Sequence, residues 1–268
     1  MSTIKKKPST FQNIFAGLAI VVLFIIAQVF FRVFLGDPNN FEMKDGHPHP
    51  KNIWGTIYLG GEVVPFLITC LLVVITFSIE RLITIFSASG TGSITNFVYK
   101  VKGLLAENDI EGAMAACDRQ KGSIGNVIKS VLEKYKEMLH DNTKDKEQKI
   151  AAITKEQEDA TALELPMLEK NLTIIATLAS VSTLIGLLGT VLGMIKAFSS
   201  MSGGGAAAAA QLAVGISEAL INTATGIGAS ALAIIAYNYF TSKIDELTYN
   251  IEEVSYSILQ NFNAQVKG

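Results

Sequence analysis

Charge is scarce in this chain of 268 residues: Asp, Glu, Lys and Arg make up 17% of it, against about 25% in an ordinary soluble domain. The deficit is uneven, with four long stretches nearly free of charge and charges crowded between them. A disordered chain, which needs few apolar residues and many charges, is excluded, and an ordinary soluble enzyme is disfavoured. Cysteine is scarce too. Cys70 lies in an apolar run and Cys117 in a polar segment, so neither a disulfide framework nor a tetrahedral zinc site is available and both read as free thiols. The net charge of −2 gives no basic field for nucleic acid. The G-x-x-x-x-G-K-[ST], H-E-x-x-H and G-x-S-x-G patterns are missing, so the chain reads as a non-enzyme without a cofactor. The short alternating segments of an outer-membrane barrel are missing as well.

What is present is four apolar runs of spanning length, about 20 residues each. Phe11 to Phe31 holds no charge in 21 residues, Val63 to Ile79 none in 17, and Asn171 to Ile195 none in 25. The fourth, from about Gly215 to Phe240, is broken by one acid, Glu218. Lipid offers backbone amides no partner, so these spans are expected to be helical. Lys5, Lys6 and Lys7 before the first run suggest a signal peptide, but its core is too long and no A-x-A-like site follows, so it reads as an uncleaved helix. Lys and Arg counts set orientation. The segment from 87 to 170 holds 12 of them, the loop from Gly36 to Glu62 only Lys44 and Lys51, and the loop from Ser199 to Leu212 none. Both termini and the long middle segment are therefore expected on the cytoplasmic side.

The outer loop contains His47-Pro48-His49-Pro50. Two histidines without a further ligand set are read as a Pro-rich exposed turn, and no metal is placed there. In the middle segment, Asn108-Asp109 is a helix start. Ile128, Val131, Leu132, Tyr135, Met138 and Leu139 recur at helical spacing. The charged stretch from Asp141 to Asp159 reads as a solvated helix face or turn. Tyr237, Phe240, Ile244, Leu247, Ile251, Val254 and Ile258 form a heptad stripe that carries the fourth span onward as one long helix. That stripe packs either on its own chain or on a neighbouring subunit.

The third and fourth spans differ in kind from the first, whose Ile20 to Ile26 run is bulky and suits lipid. Ser182, Gly186, Thr190, Gly193 and Ala197 share one face of the third span, with Gly189 beside it. The fourth carries Gly215, Ser217, Ala219, Ala224, Gly226, Gly228, Ala229 and Ser230. Small residues let helices approach closely in lipid, so Ser182, Gly186, Gly189, Gly193, Gly215 and Gly226 are assigned to helix packing. Glu218, Asn222 and Thr225 follow at i, i+4 and i+7 on one face, with Thr223 adjacent and Thr190 in the middle of the third span. An acid within a span is a functional candidate by default. A lone membrane threonine often only bonds the carbonyl one turn back; the full group of Thr190, Thr223, Glu218, Asn222 and Thr225 reads instead as a polar path. One glutamate per chain is too few for a relay, so repeated subunits around an axis or a partner's carboxylate would complete it. Gly203-Gly204-Gly205 reads as a flexible outer turn.

These residues resemble the ExbB/TolQ/MotA proton-channel family, most closely ExbB and TolQ. The resemblance rests on the run Gly186-Leu187-Leu188-Gly189-Thr190-Val191-Leu192-Gly193-Met194-Ile195, followed at family spacing by Gly215 to Gly226. It extends to Glu80-Arg81-Leu82 and to Asn108 through Cys117, about residues 60 to 262 in all. Two departures stand out: the first span is additional to the usual three, and Thr183 replaces a common proline after Ser182. The resemblance implies an all-α, polytopic inner-membrane protein that forms a ring, with long helices extending into the cytoplasm. Its expected organisation is a cytoplasmic tail (1–10), an extra span (11–35), a periplasmic loop (36–62), a second span (63–86) and a cytoplasmic helical region (87–168). A third span (169–198), a periplasmic loop (199–213), a fourth span (214–240) and a cytoplasmic C-terminal helix (241–268) follow. The resemblance further implies a pentamer around a dimer of a single-span, ExbD- or TolR-like partner whose aspartate carries the proton past Thr190 and Thr223. Glu218 would lie in the pore wall, and the motion would drive a TonB- or TolA-like transducer. A purely structural membrane scaffold is the competing reading. A secondary transporter ranks last, because neither inverted repeats nor broken helices are evident.

Overall fold

The computed structural model describes residues 10–44, 47–201 and 206–266. The lysines of the N-terminal tail and the Gly203-Gly204-Gly205 turn lie outside the described residues. The chain divides into two compact units, one of residues 1–78 and 173–237, the other of 79–172 and 238–268. Among the described residues, four helical stretches are long and apolar enough to cross a membrane.

The first unit opens with α1 (Thr10–Val29), which runs into a π-helical turn over Phe30–Leu35. The turn is closed by Asn40, whose Nδ2 donates to the carbonyls of Phe34 and Leu35 at 2.7 and 3.1 Å. Asn52 donates to Asn40 Oδ1 at 2.9 Å and caps α2 (Ile53–Tyr58) by accepting from the Gly55 amide at 3.0 Å. Phe31, Leu35 and Val64 form a small buried cluster with Ile57, Tyr58 and Ile68 against it. The Phe31 ring stacks on Tyr58 at 4.7 Å.

Between the π turn and α2 stands a two-stranded antiparallel ribbon, β1 (Phe41–Lys44) and β2 (His47–Pro50). Here the sequence reading of a turn at His47-Pro48-His49-Pro50 is corrected to a strand, a short ribbon in an otherwise helical chain. The prolines are compatible with the ribbon for a definable reason. Lys51 donates its amide to the Asn40 carbonyl at 2.8 Å, which makes 40 and 51 a hydrogen-bonded pair. Pro50 opposite Phe41 and Pro48 opposite Met43 then fall at alternate positions where no ladder amide is needed.

The rest of this unit is the start of α3 (Val64–Ser89), most of α8 (Leu172–Ser200) and the first half of α9 (Ala206–Gln265). α8 and α9 run antiparallel along their small-residue faces. A Cβ at Gly226 would meet the Ser182 carbonyl at 2.7 Å and Gly186 Cα at 2.9 Å; one at Gly193 would meet the Gly215 carbonyl at 3.0 Å. A Cβ at Gly215 would meet the Ala197 Cβ at 2.6 Å. These are backbone-to-backbone contacts, the kind that drives association where lipid supplies no hydrophobic effect.

The second unit is a helical bundle of α4 (Ile94–Ala106), α5 (Ile110–Gln120), α6 (Gly122–His140), α7 (Lys146–Glu169) and the end of α9. Asp109 caps α5 by accepting from the Gly112 amide at 2.8 Å, and Asp145 with Gln148 forms a capping box on α7. The α6 stripe is buried: Ile128, Val131, Leu132 and Tyr135 are all fully covered. The two alternatives for the C-terminal stripe resolve to its own chain, since Ile251, Val254, Ile258 and also Phe262 pack into the same core as α4 to α6. Tyr135 sets its hydroxyl against Asn261 and Gln265 and its ring edge-on to Phe262 at 5.0 Å. Burial pushes its phenol up to about 12.

Candidate ion-pathway site

The close approach of α8 and α9 brings Thr190 and Thr223 together. Both are half-buried, and their hydroxyls are in direct hydrogen-bonding contact. Thr190 Oγ1 also reaches the carbonyl of Gly186 on its own helix at 3.2 Å and that of Ala219 on α9 at 3.3 Å. The back-bond considered from sequence is therefore present, but it is one of three partners, and two of the three lie on the other helix. Gly186 and Gly189 make this possible: a side chain at either position would strike Asn222 or Gly226 of α9. The result is a polar seam of two hydroxyls and two carbonyls between otherwise apolar helices.

The other three residues named from sequence take different places. Thr225 is half-buried and donates to the carbonyl of Ile221, one turn back on its own helix, at 2.8 Å. Asn222 is fully buried and donates from Nδ2 to the Gly60 carbonyl at 2.9 Å. Glu218 is 9% exposed and pairs with Lys196 Nζ at 2.8 Å. Within one chain the structure therefore joins Thr190 to Thr223, turns Glu218 and Asn222 toward the Gly60–Gly61 turn, and leaves Thr225 satisfied locally. The packing residues Ser182, Gly186, Gly189, Gly193, Gly215 and Gly226 all lie buried at the α8/α9 contact.

Sequence reasoning missed two residues. Lys196 is the first charge after the 25-residue uncharged run, and a cation there with an acid in the next span was the available signal. Arg81 lies in the second unit, 1% exposed. Its Nη1 donates to the carbonyls of Met167 and Leu168 at 3.0 Å each, and its other nitrogens hold Glu80. It closes the C-terminal end of α7, where backbone carbonyls lack helical donors.

The seam lies inside a stretch with recognisable relatives. Residues 120–253, half of the chain, match the MotA/TolQ/ExbB proton channel family. The chain belongs to that family. Within it, the chain is similar to the putative biopolymer transport protein ExbB-like 3 of Synechocystis, 45% identical over 87 residues, which are 32% of this chain and 41% of that protein. It is similar to TolQ of the Tol-Pal system in Haemophilus influenzae, 43% identical over 84 residues, 31% of this chain and 37% of that one. It is similar too to the biopolymer transport protein ExbB of Helicobacter pylori, 42% identical over 94 residues, 35% of this chain and 64% of that one. The matched stretch is thus less than two thirds of the length of each of these relatives. Membership of a proton channel family and four spanning-length helices among the described residues make this a multi-pass membrane protein. In such a protein a mid-span hydroxyl pair can hold water or pass a hydrogen bond along without carrying charge of its own.

Proposed function

We propose that this chain is the ring-forming subunit of an inner-membrane proton channel, and that Thr190 and Thr223 border the path. The observation that carries the reading is the contact between their hydroxyls at the glycine-lined crossing of α8 and α9. Both residues are only half-buried in the single chain, which leaves them within reach of a neighbour. The pair has no ionisable group, so the proton must ride on a carboxylate from elsewhere. A single-span partner of the ExbD or TolR type, held as a dimer in a pentameric ring, supplies an aspartate in this reading. Both termini and the helical bundle lie in the cytoplasm, in line with the Lys and Arg bias around the spans. The motion drives a TonB- or TolA-like transducer. Each proton delivers about 2.3 kcal/mol per 100 mV of membrane potential.

The test is proton flux into liposomes holding this chain with its single-span partner. Thr190→Val and Thr223→Val keep the shape and remove the hydroxyls. Flux should fall in both, with the complex still assembled. Unchanged flux in both removes the pair from the mechanism and leaves a scaffold.

A further inference from the structure

A second group of contacts lies at the outer ends of α8 and α9, and the hydroxyl pair does not use it. Lys196 Nζ bonds Glu218 Oε2 at 2.8 Å. The other oxygen of that carboxylate faces Gly61, where an added Cβ would lie 2.5 Å from Oε1. One turn further along α9, Asn222 Nδ2 holds the Gly60 carbonyl. Two consecutive loop residues thus meet two side chains spaced i, i+4 on one helix face: Asn222 holds Gly60 by a hydrogen bond and Glu218 packs against Gly61, itself held by a cation from α8. Gly61 has a φ of +72°, so any other residue there would be strained as well as obstructed. The Lys196 side chain is 68% exposed and that of Glu218 12%. The long Lys196 stem therefore lets the ammonium stay wet while its partner is covered. Glu62, next in the chain after the turn, is exposed.

We propose that Lys196 is the positioning residue of an outer clasp. It holds Glu218 as a carboxylate against the Gly60–Gly61 turn, and Glu218 with Asn222 fastens the loop between the first two spans onto the α8/α9 pair. Glu218 is then a fixed anion and not a carrier of the transported proton, because Lys196 holds its Oε2 and its Oε1 is packed against Gly61. This last point deepens the proposed function and rests on it; the clasp itself does not.

Hydrogen exchange of residues 53–63, measured on the full chain in lipid nanodiscs without a gradient, reads the clasp directly. Lys196→Gln and Asn222→Ala should each speed exchange there about fivefold or more, the effect of one net hydrogen bond lost. Lys196→Arg should keep the wild-type pattern. Exchange in Lys196→Gln equal to wild type, or Lys196→Arg as damaging as Lys196→Gln, overturns the clasp. The charge swap Lys196→Glu with Glu218→Lys, reconstituted with the single-span partner, reads the second half. Flux retained by the swap supports the fixed anion. Restored loop protection with flux abolished overturns it and makes Glu218 a carrier. Should the wild-type complex show no flux at all, the proposed function fails, and the exchange data still decide the clasp.

Discussion

Removing the Arg81 guanidinium tests how the end of α7 is held within the second unit. Arg81→Ala deletes a side chain that is 1% exposed and that donates to two backbone carbonyls at 3.0 Å each. Met167 and Leu168 then lose their donor, and a buried acceptor left without a partner costs about 1–3 kcal/mol. Glu80 keeps its Asn171 contact at 3.3 Å but loses its cation. The Glu80 side chain is 40% exposed, so water screens that loss to about 1 kcal/mol at most. Together the two effects come to about 2–4 kcal/mol, a fall in Tm of about 4–16 °C at roughly 2–4 °C per kcal/mol. Arg81→Lys retains the charge but replaces the fork with a single point donor, so it should lie between the two. The assay is thermal unfolding in detergent, with limited proteolysis near the end of α7 as a second readout. An Arg81→Ala protein that melts within 2 °C of wild type and resists cleavage there would refute the reasoning.

Other outcomes follow from the same geometry. Gly226→Leu should block the α8/α9 contact, because even its Cβ meets the backbone of Ser182 and Gly186, and overpacking typically costs about 1–3 kcal/mol; thermal unfolding of the purified protein in detergent should show the loss. Tyr135 has a folded-state value near 12, above the usual value of about 10, so the unfolded chain loses that proton first as pH rises. Stability should be unaffected below about pH 10 and fall from there toward pH 12; Tyr135→Phe should flatten that fall in alkaline unfolding curves. Cys117 is 2% exposed, and burial pushes its thiol up to about 12. At pH 7 a maleimide should therefore label it only after denaturation; rapid labelling of the native protein would contradict its placement in the core.

Much of this was legible because the signals are local. Uncharged runs gave the spanning helices, Asp109 announced the start of α5, and the three-and-four spacing from Phe240 to Ile258 gave the buried face of α9's end. Small residues at 182, 186, 189 and 193 pointed to a close helix contact for the same reason: the periodicity lies within one element. What was missed depends on partners far apart in the chain. Arg81 binds carbonyls, which have no residue signature, 86 and 87 positions away. Lys196 meets Glu218 only because α8 and α9 pack antiparallel, and neither residue names the other. The β1/β2 ribbon was hidden by prolines that ordinarily exclude strands and here fall at positions that need no amide. Among the named polar residues, sequence spacing placed Glu218, Asn222 and Thr225 on one face, but only coordinates separate a carboxylate and an amide turned to the Gly60–Gly61 turn from a threonine satisfied by its own helix.

The most direct measurement is proton uptake by liposomes containing the complete complex, compared across Thr190→Val, Thr223→Val and the matching Thr→Ser variants. The serine variants keep a hydroxyl at each position and should retain flux, while each valine variant should lose most of it with the complex intact. Equal flux in the valine and serine variants would contradict a proton path bordered by this pair.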